Sequence, residues 1–362
     1  MLDHQTTSVR IASPGGPVTR KVLRTPLRDA LPSEIPIIDV STIFSSSVAD
    51  RQNVARQVND AATNMGFFYI KNHGIPSSLI QDINNAALRF YRQSPEKKLE
   101  ADVAQSAHYN GYRAPNTLSL NPDEGIDVRE AFSFTYDPRL DPQVASWQEI
   151  PAPIMEHIGI EHHHFSATAQ IPGFKDAVVA YFQACLALAR ALTRTFALSL
   201  GLPETAFDSK VVYPDATLNM NYYPPIIRSP PADGNTRVSI GSHTDFQLFT
   251  ILWQDAAGGL QVLNRDGQWI NAKPIPGTFV VNIADCLQRI TNDKYVSTIH
   301  RAQNWSGRER ISLAFFWGFG LHEKCQVLDN CVAPGSSKKY EDIQCSEWLR
   351  QRVRDMTQLG ED

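Results

Sequence analysis

The residues best suited to chemistry lie between Gly241 and Thr250, where His243 and Asp245 stand two apart. In extended backbone, side chains at i and i+2 leave the same face, so this imidazole and carboxylate can converge on one ion. A further histidine, His300, follows in the stretch Ser297 to Ala302, and Arg310 and Ser312 come after it with i, i+2 spacing. Two histidines and one carboxylate on one side of a metal leave the opposite positions open, the arrangement diagnostic of non-haem Fe(II) oxygenases. An open face is what O2 and a cosubstrate need. Arg310 adds a planar fork suited to a carboxylate held by two parallel bonds, with the Ser312 hydroxyl beside it. The implied cosubstrate is an oxo acid. A His-x-Asp triplet alone is ordinary in a chain of this length. The ordered set, with each member in a strand-like context, is not.

At these residues the chain resembles the isopenicillin N synthase-like branch of the 2-oxoglutarate- and Fe(II)-dependent oxygenases. The likeness runs from about Ile35 to about Phe319, through the stretches Ile35 to Asp39, Gly66 to Ile70, Asn221 to Pro224, Gly259 to Val262 and Pro276 to Asn282. It implies a mainly β protein with flanking helices, built on a double-stranded β-helix, or jelly roll. By the same resemblance His243, Asp245 and His300 are iron ligands, while Arg310, Ser312 and Tyr223 hold the distal carboxylate of 2-oxoglutarate. Asn221 would lie near the metal and the cosubstrate. The implied reaction consumes 2-oxoglutarate and O2, releases succinate and CO2, and oxidises a small-molecule natural product of secondary metabolism. Hydroxylation, desaturation and ring rearrangement all remain open, because substrate placement and not the ligand set decides among them.

Short strands must bring these groups together. Residues 1–34 carry Thr, Ser, Pro and Arg without periodicity and read as an irregular arm. Residues 35–205 read as an α/β region packed on the barrel. It begins with a strand at Ile35 and a helix placing Val54, Val58, Ala61 and Ala62 at helical spacing. A strand at Phe67 to Ile70 follows, then a helix that Ser77 or Ser78 could cap, and later a long amphipathic helix over 174–200 stopped by Gly201 and Pro203. Residues 206–322 read as the jelly-roll core: a strand at Thr217 to Tyr223, a surface loop through Pro230, Pro231, Asp233 and Gly234, then a series of short strands. Asn264 to Gly267 makes the hairpin turn within that series. Residues 323–362 form a tail whose helix, over 340–359, offers Ile343, Trp348, Leu349 and Val353 to the barrel or its mouth. The four parts are expected to form one catalytic unit.

Substrate contacts are sought where loops meet the barrel. From His108 to Asp137 the chain is rich in Gly, Pro and Asn and then strand-like, and in the resembled family this region borders the substrate pocket. Tyr109, Tyr112 and Phe134 are therefore candidate pocket residues, against their reading as packing aromatics. Phe246 joins them. Arg190 shares the polar stripe of the long helix with Gln183 and Arg194; the stripe should face water, unless Arg190 reaches the cavity and holds an oxygen-rich substrate. In the last strand Ser312, Ala314 and Phe316 share one face and Leu313, Phe315, Trp317 and Phe319 the other, which argues against Trp317 as a pocket residue unless a bulge intervenes. His73, in a turn after a buried strand, reads as hydrogen-bonded structure. His162, His163 and His164 are adjacent and point different ways, so they read as a solvated loop and not a zinc site.

Composition bounds the alternatives. With 362 residues, 42% hydrophobic and 20% charged, the chain can bury a sizeable core. A net charge of -4 provides no basic footprint for nucleic acid. Five cysteines lack metal-type spacing and no apolar signal core opens the chain, which suggests free thiols in a reducing cytoplasm. Lys175, Asp176, Arg190 and Arg194 interrupt the longest apolar stretch and argue against a membrane span. A small-molecule substrate is thus the expected partner; the oligomeric state is open. Two other readings compete. One keeps the iron but drops 2-oxoglutarate, since isopenicillin N synthase and the plant ethylene-forming oxidases share the Arg-x-Ser pair; Tyr223 and Asn221 favour the oxo acid. The other is a barrel that binds small molecules without turnover, against which the intact triad speaks.

Overall fold

Along Arg310–Gly318, Ile311, Leu313, Phe315 and Trp317 are buried on one face, while Ala314 and Phe316 on the other line a cavity. That period of two fixes the architecture of the computed structural model, which describes residues 6–13, 16–225 and 239–359. Among these, an eight-stranded sheet runs in the order Ile37–Asp39, Phe67–Lys71, Thr278–Ile283, Phe249–Gln254, Arg310–Gly318, Asp215–Tyr223, Glu130–Thr135 and Gly111–Arg113. A five-stranded sheet runs Arg28–Asp29, Trp269–Asn271, Leu260–Leu263, His300–Ala302 and Ile240–His243. The two form the jelly roll. Phe67, Tyr69 and Val280 of the large sheet pack on Val262, Ile270 and Ala272, which belong to or adjoin the small one.

The opposite face of the large sheet is covered by helices. Phe68, Ile70, Leu313 and Phe315 meet residues of Val48–Asn64, Ser77–Tyr91 and Phe174–Ser199 in the main core. Phe174–Ser199 is long and apolar enough to cross a bilayer by length and composition, yet Tyr181, Phe182, Leu186 and Leu192 bury its inner face in that core. Gly66 joins the first of these helices to the strand Phe67–Lys71 at φ +67, where a Cβ would come 1.8 Å from the Val296 carbonyl oxygen. Only glycine fits there.

Several expectations need correction. The first 34 residues are not irregular throughout: Thr6–Ile11 and Val18–Leu23 pair antiparallel. Val9, Ile11 and Val22 then pack on Leu263, Trp269 and Ile299, and so cover the small sheet. Three apolar residues in two short stretches give too weak a periodicity to be read without that partner. The helix Ser77–Tyr91 starts at Pro76 with no side-chain cap, so Ser77 and Ser78 lie inside it. The terminal helix spans Cys345–Gln358, and Ile343–Gln344 instead pairs with Lys324–Cys325. The Pro230 to Gly234 loop lies outside the described residues.

Candidate iron and cosubstrate site

His243 ends the strand Ile240–His243, and His300 begins His300–Ala302 directly opposite it. Antiparallel pairing thus sets two imidazoles side by side, ring centroids 4.3 Å apart, although 57 positions separate them in the chain. Asp245 follows after the strand has ended and turns its Oδ1 toward both rings, 3.7 Å from His243 Nε2 and 3.8 Å from His300 Nε2. One donor atom from each residue lies within 4.8 Å of the others, as a shared ion requires.

The hydrogen bonds around this cluster aim its lone pairs. His243 Nδ1 sits 2.8 Å from the Gly241 carbonyl oxygen and His300 Nδ1 3.1 Å from that of Thr298. A carbonyl can only accept, so each Nδ1 carries the proton and each Nε2 presents its lone pair inward. Asp245 Oδ2 accepts from the Thr250 hydroxyl at 2.6 Å and the Asn282 amide at 2.7 Å, which leaves Oδ1 for the ion. Burial first, and then the neighbouring His300, hold the His243 imidazole far below its ordinary range, to about 3, which favours the neutral ring that a metal would need. This donor set fits Fe(II): two imidazole nitrogens and one carboxylate oxygen on one side, with the cavity on the other.

Farther along the barrel, Arg310 and Tyr223 are directly paired, as are Ser312 and Asn221. Alternation places all four on the cavity face. The Arg310 guanidinium is 1% exposed and lies over the Tyr223 ring at 4.4 Å. Its Nε donates to the Gly258 carbonyl, Nη1 lies 3.5 Å from Ser312 Oγ and Nη2 3.4 Å from Gln254 Oε1. Gly259, at φ +97, lets this loop approach, since a Cβ there would come 2.4 Å from the Gln303 carbonyl oxygen. Among the described residues no carboxylate comes within ion-pair distance of Arg310. A buried guanidinium with only neutral partners is costly alone and fits a carboxylate brought by a cosubstrate. Asn221 lines the cavity itself, with its amide oxygen accepting from Arg129.

The cavity measures about 440 Å³. Tyr109, 65% exposed, and Phe246, next to Asp245, both line it. Tyr112 and Phe134 do not. Tyr112 is buried with its hydroxyl on Glu130 Oε2 at 2.6 Å, and Phe134 is enclosed by Phe165, Phe182 and His164. Both sit on the helix-facing side of their strands, a parity the sequence left open. Arg190 does not enter the cavity either: it donates to both oxygens of Asp141, at 3.0 and 2.5 Å. Trp317 faces away, with its indole nitrogen donating to Thr193 at 2.8 Å. His73 is 7% exposed, accepts from the Ile75 amide and lies tilted against the Phe279 ring. Of the three adjacent histidines, His162 contacts Arg139, His163 contacts the Asn110 carbonyl and His164 is buried, so no shared ion site forms there.

Sequence reasoning passed over Thr250, Asn282, Gln254 and Arg129. Thr250 had a faint signal, standing in a strand just after the His-x-Asp pair; Arg129 directly precedes the strand Glu130–Thr135.

A His–Asp–His cluster opening on the interior of a two-sheet barrel marks the non-haem iron oxygenases as a class. Residues 214–318 match the 2OG-Fe(II) oxygenase superfamily, and residues 35–153 match the N-terminal region of the non-haem dioxygenase in morphine synthesis. The chain is 60% identical to the 2-oxoglutarate-Fe(II) type oxidoreductase ppzC of Metarhizium majus, over 99% of this chain and 96% of that one. It is 31% identical to homoarginine-6-hydroxylase 2-ODD-233 of rice, Oryza sativa, over 88% and 96% of the two chains. Among solved structures, full-length Neurospora crassa T7H in complex with alpha-KG (2-oxoglutarate) superposes with a TM-score of 0.72 at 28% identity, covering 88% of this chain and 96% of that one. The chain belongs to the 2OG-Fe(II) oxygenase superfamily. It is an oxidoreductase, a dioxygenase that uses Fe(II), 2-oxoglutarate and O2.

Proposed function

We propose that His243, Asp245 and His300 hold the iron, that Arg310 holds the distal carboxylate of 2-oxoglutarate with Ser312 and Tyr223 beside it, and that the substrate is a small-molecule natural product. The observation that carries this reading is the pairing of two incomplete sets in one barrel. Three donors converge on one point, and among the described residues the buried guanidinium makes no ion pair with a carboxylate. Fe(II) with 2-oxoglutarate and O2 supplies the oxidising power, with release of succinate and CO2. The chain supplies the rest. The Gly241 and Thr298 carbonyls fix both imidazole tautomers, while Thr250 and Asn282 fix the carboxylate. Arg310 sets the depth at which the diacid stops, and the Tyr223 face shields that charge pair from water. Ala314, Phe316 and Leu252 offer the substrate a dry wall on the large sheet. Tyr109 and Phe246 are the substrate contacts retained from the sequence reading.

Relatives named as 2-oxoglutarate-Fe(II) oxidoreductases favour the oxo acid over an iron oxidase without it, and favour turnover over mere binding. These relatives are not named for a substrate, so the reacting carbon is left to experiment. The test is anaerobic loading with Fe(II) and 2-oxoglutarate, exposure to extracts of the host, and parallel measurement of succinate and substrate mass. A gain of oxygen or loss of hydrogen matched by succinate is expected. Full turnover without 2-oxoglutarate would sink the proposal.

A further inference from the structure

The segment that carries Asp245 is held from outside the barrel by residues with no part in the chemistry described so far. Asp285 Oδ2 accepts from the Thr244 hydroxyl at 3.0 Å, and the Asp285 amide donates to the Asp245 carbonyl oxygen at 2.9 Å. The Cys286 amide donates to the carbonyls of Phe246 and Gln247. Asp285 is itself gripped by Arg352 of the terminal helix, whose Nε and Nη2 lie 3.1 and 2.8 Å from the same Oδ2. Arg352 is 0% exposed, places its guanidinium 5.0 Å from the centre of the Phe246 ring, and donates to the Ala12 carbonyl at 3.1 Å. On the same helix Trp348 Nε1 donates to the Phe246 carbonyl at 2.9 Å, while Leu349 and Met356 line the cavity.

We propose that Arg352 is a positioning residue for the iron ligand Asp245, acting through Asp285 and Phe246, so that docking of the terminal helix and binding of iron are one linked equilibrium. The inference rests on the assignment of Asp245 as a ligand. The physical basis is that a carboxylate ligand binds tightly only when its backbone is fixed, and the 244–247 segment gets much of its fixation from the helix Cys345–Gln358. Linkage is reciprocal: whatever affinity the docked helix adds to iron, iron adds to docking. Because Leu349 and Met356 move with that helix, an undocked helix would open the cavity as it loosens the metal.

The test uses the full-length protein and Fe(II) alone, without oxygen. In the wild type, amide hydrogen exchange over 345–358 should slow on iron binding. Arg352→Met should weaken Fe(II) binding by about 10- to 100-fold, the range for outer partners of metal ligands, and should abolish the iron-dependent slowing. Arg352→Lys, which keeps the charge but loses the fork, should fall between. A merely structural arginine would lower the unfolding midpoint and leave the metal affinity of the folded fraction unchanged. Wild-type affinity in folded Arg352→Met, or exchange over 345–358 that ignores iron, would overturn the proposal. The wild-type exchange measurement needs no variant, so misfolding of Arg352→Met leaves the test standing. Failure of the wild type to bind Fe(II) would overturn the ligand assignment as well, whereas tight binding with unchanged exchange overturns this inference alone.

Discussion

The inner end of the barrel and the flank of the long helix each hold a guanidinium, fully buried in the first and largely covered in the second, and they satisfy it in opposite ways. At the flank, Arg190 meets both oxygens of Asp141, whose side chain is fully buried; Tyr136 donates to the same carboxylate. The chain completes that site by itself. In the barrel, Arg310 hydrogen-bonds to neutral groups only, with the Asp255 carboxylate acting on it through charge alone, and the triad has three converging donors. The chain leaves that site unfinished. A buried charge with its partner built in is structure; one without a partner is a place prepared for a ligand.

If that contrast holds, damage in the barrel should cost ligands and damage at the flank should cost stability. Asp245→Ala is expected to have the largest effect, with iron content and 2-oxoglutarate-dependent succinate formation both falling to background while the fold persists; a variant that keeps iron would break the contrast at once. Arg310→Met should weaken 2-oxoglutarate binding by about 2–5 kcal/mol, the cost of unpairing a buried charge, as read by calorimetry. Its ligand-free unfolding midpoint should fall less than that of Arg190→Met, since the guanidinium it removes makes no ion pair with a carboxylate among the described residues. Arg190→Met should do the reverse. It strands the Asp141 carboxylate and should cost about 3–5 kcal/mol of stability, with 2-oxoglutarate affinity unchanged in denaturant-free buffer. Thr250→Val removes one of two donors to Asp245 Oδ2 and should weaken iron binding by about 10-fold or somewhat more, measured by metal titration.

The smallest effect concerns pH. Burial alone would raise the Asp141 carboxyl, but the Arg190 hydrogen bonds and charge, with the Gln143 amide and the Tyr136 hydroxyl, outweigh it and hold the group below its ordinary value. A lowered folded pKa contributes stability that is present above the unfolded value and is lost as pH falls through the folded one. Wild-type stability should therefore decline below about pH 4, and Arg190→Met should flatten that decline. Equal slopes in the two proteins would mean that the Asp141 pair contributes nothing.

Periodicity and short spacing account for what was legible beforehand. The Arg-x-Ser step and the Asn221-x-Tyr223 step each bind side chains to one face of a strand, and the parity that sends Ser312, Ala314 and Phe316 inward and Trp317 outward holds in the barrel; the His-x-Asp step brings its pair together although the strand ends at His243, before Asp245. Short elements without strong periodicity were harder. The N-terminal hairpin finds its partner only across the small sheet, and the faces taken by Tyr112 and Phe134 depend on helices packed from elsewhere.

What the sequence determined by itself was the chemistry on offer: two imidazoles, a carboxylate and a guanidinium at strand spacing. Side-chain type and backbone alternation are local properties, so they can be read from order alone. Only the tertiary structure decided which charges were already paired. Asp141 reaches Arg190 across 49 positions, and Asp285 reaches Arg352 across 67. Contacts of that range are set by the packing of sheets and helices, and no local pattern encodes them.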